Sequence, residues 1–328
     1  QLNGSDLLDL EGYAEGYILS PSHRSEEQLG RFVLEPSVNI NENVHIHSTI
    51  SVEYTKPTTE KEFTGSLEAL EIDFKLADDI DTQIGKVHVP VGLYNLYHEP
   101  TYFLTIEPSR VEHLIIPTEW HEMAFLGSYA SGDSAITVGA IAPINAQKMI
   151  SSSWILEGTD YYRSNPKNPG FLARFDKGDI NTFLFGGSYV YIPIIGAQTN
   201  AQLLEIHASK KIPNGLEFTT LLSKGWLGDT TSLNQLTNST FNKTVQGAYA
   251  TLGYDVSNMI GFSQRKVVPF WHIEYAKPTS VILSDTLGGT ANSVGLDWFF
   301  TPKLVAKIEY RNSNIEGERI GFGFGFVY

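Results

Sequence analysis

The end of the chain constrains the fold most. In Glu318-Arg319-Ile320-Gly321-Phe322-Gly323-Phe324-Gly325-Phe326-Val327-Tyr328 the aromatic and aliphatic residues fall on even positions. Side chains of a strand alternate between its two faces. Ile320, Phe322, Phe324, Phe326 and Tyr328 therefore share one face, and Arg319, Gly321, Gly323, Gly325 and Val327 share the other. One face is greasy and the other nearly bare. A transmembrane antiparallel β-barrel asks for this division, with aromatics towards lipid, small or polar residues towards a lumen, and an aromatic at the water interface.

Composition permits that reading. The 328 residues are 41% hydrophobic and 18% charged, with 29 Gly, 16 Tyr and 18 Phe. No apolar run reaches the roughly 18 residues a membrane helix needs. A mean hydropathy of -0.13 is compatible with a barrel, whose strands dilute apolar residues with lumen-facing polar ones. The absence of cysteine excludes a disulfide scaffold and a thiolate metal site. The net charge of -14 argues against nucleic acid as a partner and against a lumen lined mainly by basic groups. A start at Gln1 without Met is what a removed signal peptide would leave, and trimming would leave the same.

The alternation recurs along the chain. Leu8, Leu10, Gly12, Ala14, Gly16 and Ile18 alternate with Asp9, Glu11, Tyr13, Glu15 and Tyr17; Phe32, Leu34, Val38 and Ile40 with Arg31, Glu35, Ser37 and Asn39. Val44, Ile46, Ile50, Val52 and Tyr54 alternate with His45, His47, Thr49, Ser51 and Glu53; Leu70, Ile72, Phe74 and Leu76 with Glu71, Asp73 and Lys75; Val87, Val89 and Val91 with Lys86 and His88. Eleven weaker segments follow, at 121–131, 134–144, 170–176, 182–193, 201–211, 216–226, 245–255, 265–276, 292–300, 303–312 and 318–328, which brings the expectation to sixteen strands in one domain over 1–328. About ten residues at a tilt near 40° span a band of roughly 25 Å. Connections alternate in length: long at 20–29, 55–65, 92–120, 145–169, 227–244 and 277–291, tight at Asn41-Glu42-Asn43, Gly132-Asp133 and Pro213-Asn214-Gly215. Long loops on one side and short turns on the other are the outer-membrane pattern.

The connection 92–120 is too long for an idle loop. It follows Gly85-Lys86-Val87-His88-Val89-Pro90-Val91-Gly92-Leu93-Tyr94-Asn95 and ends in Ile115-Ile116-Pro117-Thr118-Glu119-Trp120-His121-Glu122. These words resemble the phosphate-selective porin family and related trimeric outer-membrane porins of Gram-negative bacteria. The resemblance covers about 85–132; Gly170–Asp179 and the aromatic end resemble the family in architecture. It implies a homotrimeric sixteen-stranded channel whose inward-folded loop at 92–120 narrows the lumen. It does not carry phosphate selectivity over, because that rests on basic linings and this chain is acidic.

The expected constriction residues are Glu99, Glu107, Arg110, Glu112, His113, Glu119, His121 and Glu122, either as a ring of charge that filters ions or as ties holding the loop to the wall. The expected lumen lining is Asp9, Glu11, Glu15, Arg31, Glu35, His45, His47, Glu53, Glu71, Asp73, Lys75, Lys86, Arg311 and Arg319. His45 and His47 share a strand face as zinc or copper ligands can, but two histidines name no third ligand and a lining or wall-bonded role is favoured. Strand 182–193, apolar on both faces, needs a loop over its lumen side or an unusually dry lumen there. No nucleophile elbow, zinc-protease helix or phosphate loop occurs, so no enzyme and no cofactor is expected. The expected function is passive diffusion of ions and small hydrophilic solutes across the bacterial outer membrane, with weak cation preference. The alternatives are a channel specific for an anion or a sugar, contacted by Arg31, Lys86 and Arg110, and a soluble β-rich binding protein.

Overall fold

The structure, a computed structural model, describes residues 7–21, 27–55, 62–151, 153–159, 168–262, 265–278 and 289–328. Parts of the connections expected at 20–29, 55–65, 145–169 and 277–291 lie outside these residues.

The strands are β1 Leu8–Pro21, β2 Glu27–Asn41, β3 Val44–Thr55, β4 Glu62–Ala77, β5 Ile80–His88, β6 His121–Ser131, β7 Ser134–Ile141, β8 Ile144–Asn145 and β9 Gly170–Asp179. They continue as β10 Phe183–Ile195, β11 Thr199–Lys211, β12 Leu216–Leu227, β13 Thr244–Tyr254, β14 Lys266–Lys277, β15 Gly289–Thr301, β16 Leu304–Ser313 and β17 Gly317–Val327. Each pairs antiparallel with its neighbours except β8, two residues that run parallel to β10 inside the barrel. β1 pairs with β17, Tyr13 opposite Val327 through Pro21 opposite Arg319, so the remaining sixteen strands close on themselves. Closure removes every free edge, which a sheet in lipid requires.

The alternation reads out as designed at the closing seam. Phe322 and Phe324 are 57% and 55% exposed on the outer wall, while Gly321 and Gly325, which flank them, are covered. The bare face of β17 is covered by the inserted loop. A Cβ on Gly321 would meet Ile106 Cδ1 at 2.7 Å, and one on Gly325 would meet Pro100 at 2.3 Å.

β5 departs from expectation. Its one valine, Val87, points inward, and Lys86 pairs with outward-facing neighbours. Lys86 stands opposite Leu70 and Met123, both exposed on the outer wall, and its Nζ donates to the Leu67 carbonyl at 3.0 Å. Lys86 is itself buried, so it lies neither on the lipid face nor in the lining of the vestibule described below. Val87 faces in opposite Glu122 and, with Val89 and Val91, joins an apolar core inside the barrel. The usual rule of apolar out and polar in assumes a wet lumen; here protein fills it.

The same core explains β10. Leu184, Val190, Ile192 and Ile194 are buried on the lumen side beneath Val89, Val91, Ile144, Ala146 and Ile155. The segment 89–120 and the described residues of 142–158 thus cover the lumen side of β9–β12. Trp154 enters this core against the wall at Gly225, where a Cβ would lie 2.3 Å from the indole.

Candidate functional site

The loop leaves the wall after His88 and returns at His121. Its root is tied by backbone bonds: Val89 N–H donates to the Trp120 carbonyl at 2.8 Å, and Trp120 N–H donates to Asn95 Oδ1 at 3.1 Å. Arg174 on β9 donates to the Gly92 carbonyl at 2.7 Å. Gly92 has φ of 77°, and a Cβ there would meet Glu112 Oε2 at 2.6 Å. A side chain would be both strained and obstructed.

Glu112 is the loop's internal anchor. Oε2 accepts from Leu93 N–H and Tyr94 N–H at 2.7 Å each, and Oε1 accepts from the Tyr249 hydroxyl on β13. Burial still holds its carboxyl above the usual range, against those three donors. Burial likewise raises Glu99. The helical turn Val111–Ile115 lies on β13 at Gly247, whose Cβ would meet Ile115 Cδ1 at 2.7 Å.

Wall charges cap further backbone groups of the loop, as a buried main chain requires. Glu309 accepts from Ile106 N–H at 2.7 Å. Glu274 accepts from the Ser109 hydroxyl at 2.8 Å and Arg110 N–H at 3.0 Å, and it also pairs with Arg311. Lys307 Nζ donates to the Thr105 carbonyl at 2.9 Å.

Two loop carboxylates meet wall arginines directly. Glu107 pairs with Arg319 and accepts from the Tyr17 hydroxyl at 3.1 Å. Glu119, in a left-handed backbone conformation with φ of 54°, pairs with Arg31. Arg31 also meets Glu53 at 3.0 Å, Glu68 at 2.9 Å and the Tyr13 hydroxyl at 2.8 Å. Glu68 escapes sequence parity. The β3–β4 register slips between Thr49 and Ile50, and this bulge brings Glu68 in beside Ala69, as bulges re-aim side chains. The carboxylates of Glu53, Glu68 and Glu119 approach one another closely enough to share an ion, but the Arg31 guanidinium already bridges them.

A vestibule of about 520 Å³ opens on the long-loop side of this arrangement. Its wall carries Glu15, Arg31, Glu53, Arg311 and Arg319, and the loop contributes Glu107, Arg110, His113 and Glu119. The other expected constriction residues lie elsewhere. Glu112 is spent on the anchor. Glu122 is buried beside the Trp120 indole N–H, 3.4 Å away, and His121 packs edge-on to His88 with ring centroids 4.2 Å apart. Glu99 lies next to His98, which meets Glu35 at 3.5 Å. Towards the short turns, His47 meets Glu71 at 3.5 Å, His45 Nδ1 lies 2.6 Å from Asn39 Oδ1, and Asp73 stands opposite His45. His45 and His47 thus have oxygen partners, and among the described residues neither belongs to a metal-competent cluster. Asp9, Glu11 and Lys75 are exposed near the short-turn rim, Lys75 within 3.6 Å of Asp78.

Sequence reasoning passed over Arg174, Glu309 and Glu68. Arg174 and Glu309 sit in strands that period-two alternation can place, but nothing in the sequence tells which inward charge meets a loop backbone.

A closed sixteen-strand antiparallel barrel with a loop folded into its lumen defines the porin fold. Solved structures agree in fold. Salmonella typhi OmpF in complex with daunomycin superposes with a TM-score of 0.66, at 10% identity over 100% of this chain and 99% of that one. Pseudomonas putida OprB at low pH gives 0.60, at 10% identity over 98% and 93%. A mutant of the Rh. blastica porin gives 0.57, at 10% identity over 98% and 100%. No family model matches the chain. An uncharacterized protein of Aquifex aeolicus (strain VF5) is 30% identical over 131 residues, 38% of this chain; the chain thus spans 30% of that relative's length.

Proposed function

We propose that this chain is a passive outer-membrane channel for ions and small hydrophilic solutes, working as a homotrimer with weak preference for cations. The observation that carries the reading is the vestibule: a charged space of about 520 Å³ inside a barrel whose outer wall is apolar. Its five carboxylates, Glu15, Glu53, Glu107, Glu119 and Glu316, face four arginines, Arg31, Arg110, Arg311 and Arg319, and Glu68 adds a sixth carboxylate behind Arg31. A charged wall concentrates counter-ions, so the excess of acid favours cations. The short turns lie on the periplasmic side in this reading, and both ends of the described barrel with them. The phosphate-selective branch fits less well, because each vestibule arginine has a carboxylate within ion-pair reach.

Currents across a planar bilayer under a potassium chloride gradient test the proposal. Conductance steps in groups of three, with a modest reversal potential of cation sign, are expected. Folded protein that conducts nothing would overturn the channel reading, and an anion-signed potential would overturn the cation preference.

A further inference from the structure

One connection on the short-turn side breaks the pattern of the others. Asn41-Glu42-Asn43, Asp78-Asp79, Gly132-Asp133 and Pro302-Lys303 put polar residues, glycine or proline at that rim. The connection from β13 to β14 carries Met259-Ile260-Gly261-Phe262 instead, and Met259 and Ile260 are 75% and 52% exposed. A lone exposed apolar side chain needs no explanation, but neighbours grouped on an ordered turn do.

The turn is ordered by its own bonds. Val256 N–H donates to the Val267 carbonyl at 2.9 Å, Met259 N–H to the Val256 carbonyl at 2.9 Å and Phe262 N–H to the Ser257 carbonyl at 2.8 Å. At its base Val267 N–H donates to Ser257 Oγ at 2.9 Å. Gly261, with φ of 81°, supplies the left-handed residue ahead of Phe262.

The wall shows which way the turn leans. Alternate residues of β14, Pro269, Trp271, Ile273 and Tyr275, are exposed on the outer wall. Val267 has the same parity but is only 7% exposed. It stands opposite Trp298 on β15, and the Phe262 ring stacks on that indole, centroids 6.1 Å apart and planes 10° from parallel. Trp298 stacks in turn on Phe300 at 4.8 Å. The turn therefore folds outward over the lipid side of the wall. Arg265 sits over the Trp298 and Phe300 rings at 5.8 and 6.0 Å. Aromatics joined by a long basic side chain mark the level where acyl chains meet headgroups.

We infer that residues 256–262 are a membrane-interface anchor, with Met259 and Ile260 seated among phospholipid acyl chains at the short-turn boundary of the bilayer. Continuity identifies the occupant. The apolar surface of the turn passes through Phe262, Trp298 and Phe300 to Leu296 and Val294 on the outer wall, and what lies against a closed barrel's apolar wall is lipid. The inference rests on the reading that the barrel spans a membrane.

The chain has no cysteine, so Met259→Cys, Glu42→Cys and Val294→Cys each give a single attachment point for an environment-sensitive fluorophore. Glu42 is exposed in another short turn, and Val294 is exposed on the outer wall. Each labelled protein, its folding confirmed by electrophoretic heat-modifiability, is placed in phosphatidylcholine vesicles. It then meets iodide on both sides of the membrane or a nitroxide carried on the lipid acyl chain. The Met259 label should lose emission to the lipid nitroxide and resist iodide. The Glu42 label should do the reverse, which also shows that the dye does not itself draw a turn into lipid. The Val294 label should respond to the nitroxide alone. Ile260→Ser beside Met259→Cys should shift quenching from the nitroxide towards iodide; an unchanged pattern would show that the turn is held by the wall and not by lipid. A Met259 label as open to iodide as the one at Glu42 would overturn the inference. So would a label shielded from both quenchers, which would put a neighbouring copy of the chain where lipid is expected. A Val294 label untouched by the nitroxide would sink the membrane-spanning reading and the anchor with it, whereas failure at Met259 alone would leave that reading standing.

Discussion

Gly325 and Pro100 occupy a space that leaves no room for a methyl group between them. A Cβ on Gly325 would lie 2.3 Å from both Cβ and Cγ of Pro100. Neither atom belongs to a flexible side-chain end, so the loop or the wall must give. The wall is held by two ladders, to β16 and to β1, and the loop segment is held by fewer bonds. Gly325→Ala should therefore displace the loop rather than the strand. Overpacking of this kind costs about 1–3 kcal/mol. Faster amide exchange at Ile106 and Leu93, with β17 amides still protected, is the expected outcome; exchange unchanged throughout would mean that the loop is not seated on this wall.

Much of this fold was legible from period-two alternation and connection lengths. Both follow from geometry that every strand and every hairpin must obey. What alternation could not show is where the lumen is dry. Val87 and Lys86 obey the alternation, yet the face was inverted because an apolar lumen reverses the meaning of an apolar face. Glu68 was hidden differently: one extra residue in β4 shifts its side chain across the wall, and a bulge leaves no mark in composition. Among the loop charges, residue type marked them as functional or anchoring but could not separate Glu107, which faces the vestibule, from Glu112, which is buried. That distinction depends on contacts between residues more than a hundred positions apart, such as Tyr249 with Glu112.

Arg31 is surrounded by Glu53, Glu68 and Glu119. Arg31→Met would leave three carboxylates in mutual contact with no cation among them. Breaking a buried pair from one side costs about 3–5 kcal/mol, and here the arginine is buried although Glu53 is partly exposed, so the lower end is expected. The lost stability should return in acid, where the carboxylates take up protons. The check is the heat-modifiability midpoint at neutral pH and near pH 4: a variant equally weak at both would show that packing, not charge, was lost.

Glu112 allows a signed pH prediction. Burial raises its carboxyl in the seated loop above the value in a released one, so the seated state binds the proton more tightly. Seating is then strongest below the ordinary carboxylate range and weakens as pH rises through the raised value. Glu112→Gln keeps an acceptor for the two amides and carries no charge, so it should abolish this dependence at little cost. Glu112→Ala orphans both amides and should cost about 2–4 kcal/mol. Hydrogen exchange at Leu93 and Tyr94, followed against pH, distinguishes the three forms. Equal pH dependence in the wild type and Glu112→Gln would assign the titration to another group.

The position of each loop carboxylate also decides which can act on permeating ions. Glu107 and Glu119 border the vestibule and neutralise Arg319 and Arg31 in part. Replacing both with glutamine removes two negative charges from the space an ion crosses and leaves the arginines uncompensated. Local ion concentration follows the sign of such a wall, so the cation preference should fall by about twofold or more, and could reverse. Glu112 is screened from the vestibule by its own donors and by Tyr94, which borders that space where Glu112 does not. Glu112→Gln should leave the reversal potential where it was. Comparing the double variant with Glu112→Gln in the same salt gradient makes the test independent of loop loosening in general. If both shifted the potential alike, the effect would come from an unseated loop; if only the double variant did, the two vestibule carboxylates would be the filter.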